Sequence, residues 1–349
     1  MTRLELPALR SDDPLGFLAA LGLLEVLRSE VQVPDEQLGL AWAGVGGPAE
    51  LTAPFEDIEG LVEALAAAAA RMHAEDRPVP ARIPDLVPRT LSDQERAELE
   101  ERTGVKPPFD PVRMPRAASS ARVAALWDRA TETDLRWLCG LVDQCSTFPR
   151  EPIAHVTPLY APTGRQRMRQ VYEAKLAAVA REPGLLREAC VLWRRNPRDA
   201  GANLDRRAQR DRAVTTTGDP GNAAVTGAEW LALQSVPWFR LGGMRDRPCA
   251  WGWAPRGRAG RPRALVWAVW SRTLDPVAIE VLLTHPAVRR AGLGDEALDA
   301  LAVGAMRCRQ AQIFDDAQAG EYLPSLWAMH NAQAHDLMRR QAGEVLCLE

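Results

Sequence analysis

The fold of this protein is decided by an apolar stretch near its N-terminus, residues 13–25, which reads DPLGFLAALGLLE. Asp13 offers a capping carboxylate and Pro14 is tolerated in a first helical turn, so a helix is predicted from residue 14 to about residue 28. Its apolar side chains follow helical spacing. Gly16 and Gly22, together with the neighbouring alanines, leave room for another backbone to approach closely, which indicates a core helix.

Short strands and further helices are predicted on either side of this helix. Strands are expected at residues 3–9 and 38–42, and four prolines between residues 78 and 88 predict an extended connector. Periodicity and capping signals predict helices at 58–73, 90–102, 119–129, 133–142, 166–179, 183–193, 229–234, 276–283, 295–309 and 322–340. No internal repeat is present. The pattern therefore predicts a helix-rich α+β protein with short N-terminal strands.

A central tryptophan-rich β-hairpin is also predicted. Residues 249–253 and 264–270 read as strands, joined by the segment RGRAGR at 256–261. The chain has eleven tryptophans but only three tyrosines. Core packing is the expected use of most tryptophans, and stacking on unpaired bases is the alternative. The change of character predicts an N-terminal α+β domain, residues 1–160, and a basic central region with the hairpin and C-terminal helices, residues 161–349.

Motifs for catalysis, metal binding and nucleotide binding are missing from the sequence. It contains no G-x-S-x-G, S-x-x-K, H-E-x-x-H, P-loop or G-x-G-x-x-G pattern, and His330 and His335 are five residues apart rather than four. Its six cysteines form no paired C-x-x-C arrangement, so reduced thiols are expected. We therefore expect a protein that is not an enzyme and has no cofactor or metal. Asp315 and Asp316, which follow a short apolar run, leave a metal-dependent nuclease or hydrolase as an alternative.

The N-terminus and the apolar runs predict where the protein resides. No run reaches the roughly 18 apolar residues that a membrane span needs. The first residues, MTRLEL, lack the layout of a secretory signal. These features predict a cytoplasmic protein without a membrane partner.

Charge is distributed unevenly along the chain. Its net charge is −3, yet residues 194–272 hold fifteen arginines and six acids, a local charge of +9 that leaves −12 for the remainder. Such asymmetry indicates a region that faces a polyanion. All but two of the 43 basic residues are arginine, the exceptions being Lys106 and Lys175. This bias suggests a GC-rich bacterial genome, but the planar guanidinium still suits phosphate.

Two arginine clusters and the hairpin tip are the candidate nucleic-acid contacts. The first cluster opens the helix predicted at 166–179, where free amides and the helix dipole favour phosphate. The second precedes the polar run TTTG at 215–218, whose hydroxyls can also hold phosphates. A solvated helix face is the alternative for the first cluster, and salt bridges to Asp199, Asp205 and Asp211 are the alternative for the second. The candidate residues are Arg165, Gln166, Arg167, Arg169, Arg194, Arg195, Arg198, Asn203, Arg206, Arg207, Arg210, Arg212, Arg256 and Arg258.

Two segments of the sequence resemble large-subunit proteins of type I-G (formerly I-U) CRISPR effector complexes of the Cascade class. Residues 13–25 match the pattern N/D-P-x-x-x-x-A-x-x-G-L-L-E of the helix that follows a short strand in these relatives. Residues 227–239, GAEWLALQSVPWF, are similar to their E-x-L-A-L-x-G-L-x-x-F segment, which precedes a tryptophan-bearing strand. Together the two segments cover less than a tenth of the chain.

The resemblance implies a noncatalytic, nucleic-acid-binding subunit of an RNA-guided DNA surveillance complex in bacterial antiviral defence. Its partners would be target DNA, guide RNA and other CRISPR-associated subunits, and it would contact the short motif beside the target. Arginine contacts would position the duplex, Asn203 or Gln166 would reach base edges, and guide pairing would select the sequence. The alternative is a protein-binding scaffold in another bacterial assembly, with arginines facing acidic partners and tryptophans anchoring an interface.

Overall fold

The computed structural model describes residues 1–44, 46–82, 92–104, 116–127, 129–147, 154–157, 159, 167–197, 199, 201–202, 204–205, 224–242, 250–255, 262–284 and 305–308. Helices predominate in this part of the chain and the strands are short and antiparallel. The prediction of a helix-rich α+β protein is therefore confirmed.

The N-terminal strands form one antiparallel sheet. It contains β1 (Thr2–Arg10), β2 (Gly39–Trp42) and β3 (Pro48–Ala53), in the order β1-β3-β2. The first two strands are the ones predicted. The third was not predicted because its buried face is mostly small, with Ala49 and Ala53 on either side of Leu51, and small side chains give a weak strand signal.

Helix α1 (Pro14–Ser29) is buried from its first residue to Leu27. The Asp13 carboxylate accepts a hydrogen bond from the Leu15 amide at 3.0 Å, as the capping prediction requires. The close approaches predicted at the two glycines are also confirmed. A Cβ at Gly16 would lie 2.6 Å from the Arg10 nitrogen, and one at Gly22 would lie 1.7 Å from the carbonyl oxygen of Leu231, in helix α8 (Thr226–Leu233).

The other helices follow the predicted order with shifts of a few residues at their ends. Helix α3 (Asp93–Thr103) begins at a capping box between Ser92 and Glu95 and ends at Gly104, whose φ of 66° is left-handed. The remaining helices are α2 (Ile58–Ala74), α3 (Asp93–Thr103), α4 (Arg116–Trp127), α5 (Glu132–Leu141), α6 (Met168–Arg181), α7 (Gly184–Val191) and α9 (Pro276–Thr284).

Two further sheets, one of two strands and one of three, complete the described structure. Strands β4 (Val142–Thr147) and β5 (Ala154–Val156), which were not predicted, pair with each other. The predicted hairpin corresponds to β6 (Trp253–Pro255) and β7 (Pro262–Ala268), which pair antiparallel. Its first strand begins later than expected because Gly252 takes a φ of 75° in a turn. The arginine-rich tip, residues 256–261, lies outside the described residues.

One predicted helix is wrong where the structure describes it. Residues of the helix expected at 295–309 form β8 (Ala305–Cys308), which pairs with β7 between Leu265 and Ala268. An open strand edge supplied by a distant segment overrides a local helical pattern, because sheet hydrogen bonds depend on the partner rather than on local spacing. The helix expected at 322–340 lies outside the described residues.

Tryptophan side chains occupy the core. Trp42, Trp267 and Trp270 surround Phe17, with ring centroids 5.8, 5.1 and 6.3 Å from it. The indole N–H of Trp267 donates to the Ser11 carbonyl at 3.0 Å, and Trp230 and Trp238 are also buried. Core packing is thus confirmed for these tryptophans, which cannot stack on unpaired bases in this conformation.

Buried side chains from both sides of residue 160 belong to one hydrophobic cluster. Its central contact is between α1 and α8, and Trp267 and Trp270 extend it to the N-terminal sheet. The division of the chain at residue 160 remains a prediction. Within the described residues, no helix combines the length and the apolar character that crossing a membrane requires.

Candidate nucleic-acid interface

The described residues on either side of positions 206–223, which hold much of the second arginine cluster, are joined by hydrogen bonds. We call this junction the loop base, formed by the described residues of 195–205 together with 224–226. The Asn196 amide donates to the Ala224 carbonyl at 2.8 Å, and the Ala224 amide donates to the Asp199 carbonyl at 3.1 Å. The two ends of the intervening segment, residues 206–223, are therefore held next to each other.

A buried lysine forms ion pairs with the loop base and with α8. Lys175, on α6, places its ammonium nitrogen 2.6 Å from both carboxylate oxygens of Asp199 and 2.5 Å from Oε2 of Glu229, on α8. Lys175 and Glu229 are both buried. The Thr226 hydroxyl donates to Asp199 at 2.6 Å, so one ammonium and one hydroxyl tie α6, α8 and the loop base together.

Backbone amides satisfy further lone pairs of these two carboxylates. The Gly201 amide donates to Asp199 at 3.0 Å, and the Ala202 amide donates to Glu229 at 2.9 Å. Gly201 has a φ of 75°, and a Cβ there would lie 3.0 Å from Oε1 of Glu229, so glycine suits both the backbone conformation and the space. The loop base is therefore shaped around the buried carboxylate of Glu229 and the partly buried one of Asp199.

Burial affects the two carboxylates differently. Burial raises the pKa of Glu229, and Lys175 and the Ala202 amide offset only part of this effect. Burial also acts to raise the pKa of Asp199, but Lys175, the Thr226 hydroxyl and the Gly201 amide together hold it below its usual value. As the pH falls, Glu229 is consequently the first of the two to take up a proton.

The sequence contained a signal for this network that motif reasoning missed. Lys175 is one of only two lysines in a chain that otherwise uses arginine for its basic residues. A compact ammonium can approach two carboxylates at once, whereas the planar guanidinium is larger and directs its donors in a fixed fork. A lysine retained in such a composition marks a position that requires the smaller cation.

The described arginines of the second cluster have contrasting surroundings. Arg195 donates to the buried carboxylate of Asp205 at 2.8 Å, so the salt-bridge alternative is the one observed for this residue. The side chain of Arg194 is 75% exposed, and its contact with Glu188 is 3.6 Å long. Arg194 therefore faces solvent, while Arg195 belongs to the loop base.

The described arginines of the first cluster lie where α6 begins. Arg167 precedes the helix and provides no side-chain cap, while Arg169 forms ion pairs with Glu173 on the same helix and with Asp76 beyond the end of α2. The helix start therefore lies beside the end of α2. The remaining candidates lie outside the described residues: Arg165, Gln166, Arg198, Asn203, Arg206, Arg207, Arg210, Arg212, Arg256 and Arg258.

Comparison with protein-family models, with curated proteins and with solved structures finds no match for this chain. Within the described residues, no group of three or more histidine, cysteine, aspartate or glutamate side chains is arranged to hold a metal ion. Asp315 and Asp316, and the histidines at 330 and 335, lie outside those residues.

Proposed function

We propose that this protein is a noncatalytic, nucleic-acid-binding subunit of a cytoplasmic, CRISPR RNA-guided DNA surveillance complex. In this proposal the arginines of residues 194–212 and those that open α6 contact phosphates of target DNA near the adjacent motif. The observation that carries the proposal is the loop base. Its buried ion network holds both ends of an arginine-rich segment at a fixed place on the core.

The energetics of the network support this interpretation. Burying ionised groups costs several kcal/mol per ion, and apolar residues of similar volume are often as good for stability. A chain that buries Lys175 and Glu229 against the partly buried Asp199 gains a defined geometry for the segment rather than a large stability increment. Holding the segment's ends together also lowers the entropy that its arginines lose when they bind an extended anion.

The charge distribution and the helix pair that carries the resemblance give further support. Residues 194–272 have a local charge of +9, and Arg194 directs its guanidinium to solvent. The two segments that resemble the CRISPR large subunits lie on α1 and on α8 with the turn after it. They pack against each other at Gly22 and Leu231, so the two similarities belong to one structural unit.

Direct binding tests the phosphate contacts. A purified chain should bind a short labelled DNA duplex with an affinity that falls steeply with salt. The charge-reversing pair Arg206→Glu and Arg207→Glu should weaken binding and flatten the salt dependence by roughly 0.9 per lost phosphate contact. The matched control reverses two exposed arginines elsewhere, Arg102 and Arg129, and should bind like the wild type. Equal affinity in all three proteins would disprove the loop as the interface.

Purification of the tagged protein from its native host tests the proposed complex. Nuclease-protected, repeat-derived short RNA and stoichiometric CRISPR-associated partners are the expected result. Recovery of protein partners that survive nuclease treatment, with no RNA, would replace the proposal with the scaffold function.

A further inference from the structure

A cavity of about 490 Å³ lies where α1 and α2 end. Arg169, on α6, reaches the same part of the molecule through its ion pair with Asp76. The charged lining of the cavity consists of Glu30, Arg71, Glu75, Arg77 and Arg82. Three arginines against two glutamates give this lining a charge of +1. The volume is within the range of roughly 300–1,000 Å³ that small-molecule sites occupy.

Arg77, one of the three arginines, uses most of its donors to bind carboxylates of the cavity lining. Arg77 donates to the two carboxylate oxygens of Glu30 at 2.6 and 3.0 Å, and its Nε donates to Glu75 at 2.6 Å. Glu30 is buried, and the forked contact neutralises it. This pair fixes the floor of the cavity and has few donors left for a ligand.

The other two arginines retain donors for a ligand. Arg71 uses Nη2 to donate to the Glu30 carbonyl at 2.6 Å, and the same nitrogen lies 3.7 Å from Oε2 of Glu30. Its Nε and Nη1 have no hydrogen-bond partner among the described residues. Arg82 is exposed, and its guanidinium makes no hydrogen bond or ion pair within the described part of the chain. The Arg82 backbone is nevertheless anchored, because its amide donates to the buried Asp134 carboxylate at 2.7 Å.

The backbone around the cavity is strained. Among the described residues, the non-glycine residues with positive φ are Gln32, at 62°, and Asp76, at 51°. Gln32 lines the cavity and Asp76 lies between the lining residues Glu75 and Arg77. Such conformations persist where the surroundings impose them and are concentrated at functional sites. The Asp76 side chain is also held by Arg169 at 3.0 Å.

We infer that this cavity binds a phosphate group through Arg71 and Arg82. Two guanidinium groups with free N–H donors can hydrogen-bond several oxygens of one phosphate, and the net charge of +1 on the lining attracts an anion. The same chemistry is offered by a terminal phosphate of a nucleic acid and by a small phosphorylated compound. This site is separate from the loop base, so the inference does not depend on the proposed function.

Thermal unfolding with inorganic phosphate, against sodium chloride at equal ionic strength, tests the inference. Phosphate should raise the unfolding midpoint of the wild type, and Arg82→Ala should weaken phosphate binding at least tenfold. The midpoint without ligand should stay unchanged in Arg82→Ala, since the side chain makes no contact that the described fold requires. The matched control, Arg187→Ala, removes an exposed arginine from α7 and should keep full phosphate binding. No specific shift in the wild type, or an equal shift in Arg82→Ala, would overturn the inference.

A second measurement separates the two sources of the phosphate. Single-stranded oligonucleotides with a 5′-phosphate or a 5′-hydroxyl are compared on the wild type and on Arg82→Ala. A preference for the phosphorylated strand that disappears in Arg82→Ala assigns the cavity to a nucleic-acid end. Phosphate binding without such a preference assigns it to a small phosphorylated compound. The Arg206→Glu and Arg207→Glu protein should retain phosphate binding, which keeps this result distinct from that of the loop.

Discussion

Two buried carboxylates on the touching helices α1 and α8 have very different surroundings. Glu229, on α8, accepts a hydrogen bond from the Ala202 amide and lies 2.5 Å from the Lys175 ammonium. Neither carboxylate oxygen of Glu25, on α1, accepts a hydrogen bond from a described residue, although Arg136 lies 3.2 Å away. Burial raises the pKa of both groups. At Glu229 a hydrogen-bond donor and a close ammonium partly offset the burial of the charge, whereas at Glu25 only nearby guanidinium groups do so.

This difference shows which region depends on charge. Around Glu229, the donors belong to two separate segments, α6 with Lys175 and the loop base with Ala202, so the carboxylate helps to organise the loop base. Near Glu25, Arg28 and Arg136 lie over the ring of Trp238, at 5.8 and 5.6 Å from its centroid. Their positive charges attract the Glu25 carboxylate electrostatically. Removing the Lys175 charge beside Glu229 should consequently destabilise the protein, whereas removing the Glu25 charge should stabilise it.

The largest effect is expected from Lys175→Met. The substitution leaves the buried Glu229 and the partly buried Asp199 without their cation, and breaking a buried ion pair such as Lys175–Glu229 from one side costs about 3–5 kcal/mol. Urea unfolding measures the loss, and hydrogen exchange at the Asn196 and Ala224 amides should accelerate. The control Arg187→Met breaks an exposed pair with Glu59, which should change stability by less than about 1 kcal/mol. Equal stability of the two variants would contradict the role of the network.

A smaller loss is expected from Gly22→Ala, at the crossing between the two carboxylate sites. The new methyl group would overlap the Leu231 carbonyl and force α1 and α8 apart, a type of overpacking that costs roughly 1–3 kcal/mol. Gly60→Ala, in the open first turn of α2, is the control and should be neutral or stabilising by up to about 1 kcal/mol. Chemical denaturation measures the free energy of unfolding of both variants. If Gly22→Ala is as stable as the wild type, α1 and α8 can move apart without cost and the prediction is wrong.

The smallest effect is expected from Glu25→Gln, which should stabilise the protein at neutral pH. Burial raises the pKa of Glu25 above 4.5, with Arg136 and Arg28 offsetting only part of it, so the folded form binds this proton at higher pH than the unfolded chain does. The free energy of unfolding therefore decreases as the pH rises through the folded-state pKa. Glutamine removes this contribution.

Thermal unfolding across pH measures the Glu25→Gln effect. The variant's advantage should be largest at neutral pH and should shrink toward pH 4.5, the ordinary value of the group. A variant less stable than the wild type at neutral pH would mean that the attraction of Arg136 and Arg28 outweighs the burial of the charge.

Local sequence signals predicted the helices well because their causes are local. The Asp13 cap, Pro14 and the spacing of apolar residues define α1 without any distant partner. Strand β8 could not be predicted in this way, since it depends on β7, some forty residues earlier in the chain. Strand β3 was missed because alanine contributes little to a strand pattern.

The candidate site was predictable only in part. Interleaved acids anticipated the pairing of Arg195 with Asp205. Glu229 gave no signal, because its neighbours on α8 are apolar and its cation comes from a helix more than fifty residues earlier. Arg71, Arg77 and Arg82 are spaced too widely to form a cluster in the sequence, and they meet only because α2 ends beside Glu30.

The hydrogen bonds of β2 have a consequence for synthesis of the chain. Its free side is paired not by a strand of its own sheet but by residues 270–274, through Trp42 to Trp270 and Leu40 to Leu274, at 2.9 Å each. While the ribosome is still making the middle of the chain, β2 presents unpaired amides and carbonyls of the kind that promote association between nascent molecules. The N-terminal sheet can be completed only after Leu274 has emerged, so a nascent chain that ends before Leu274 leaves this edge of β2 without its partner.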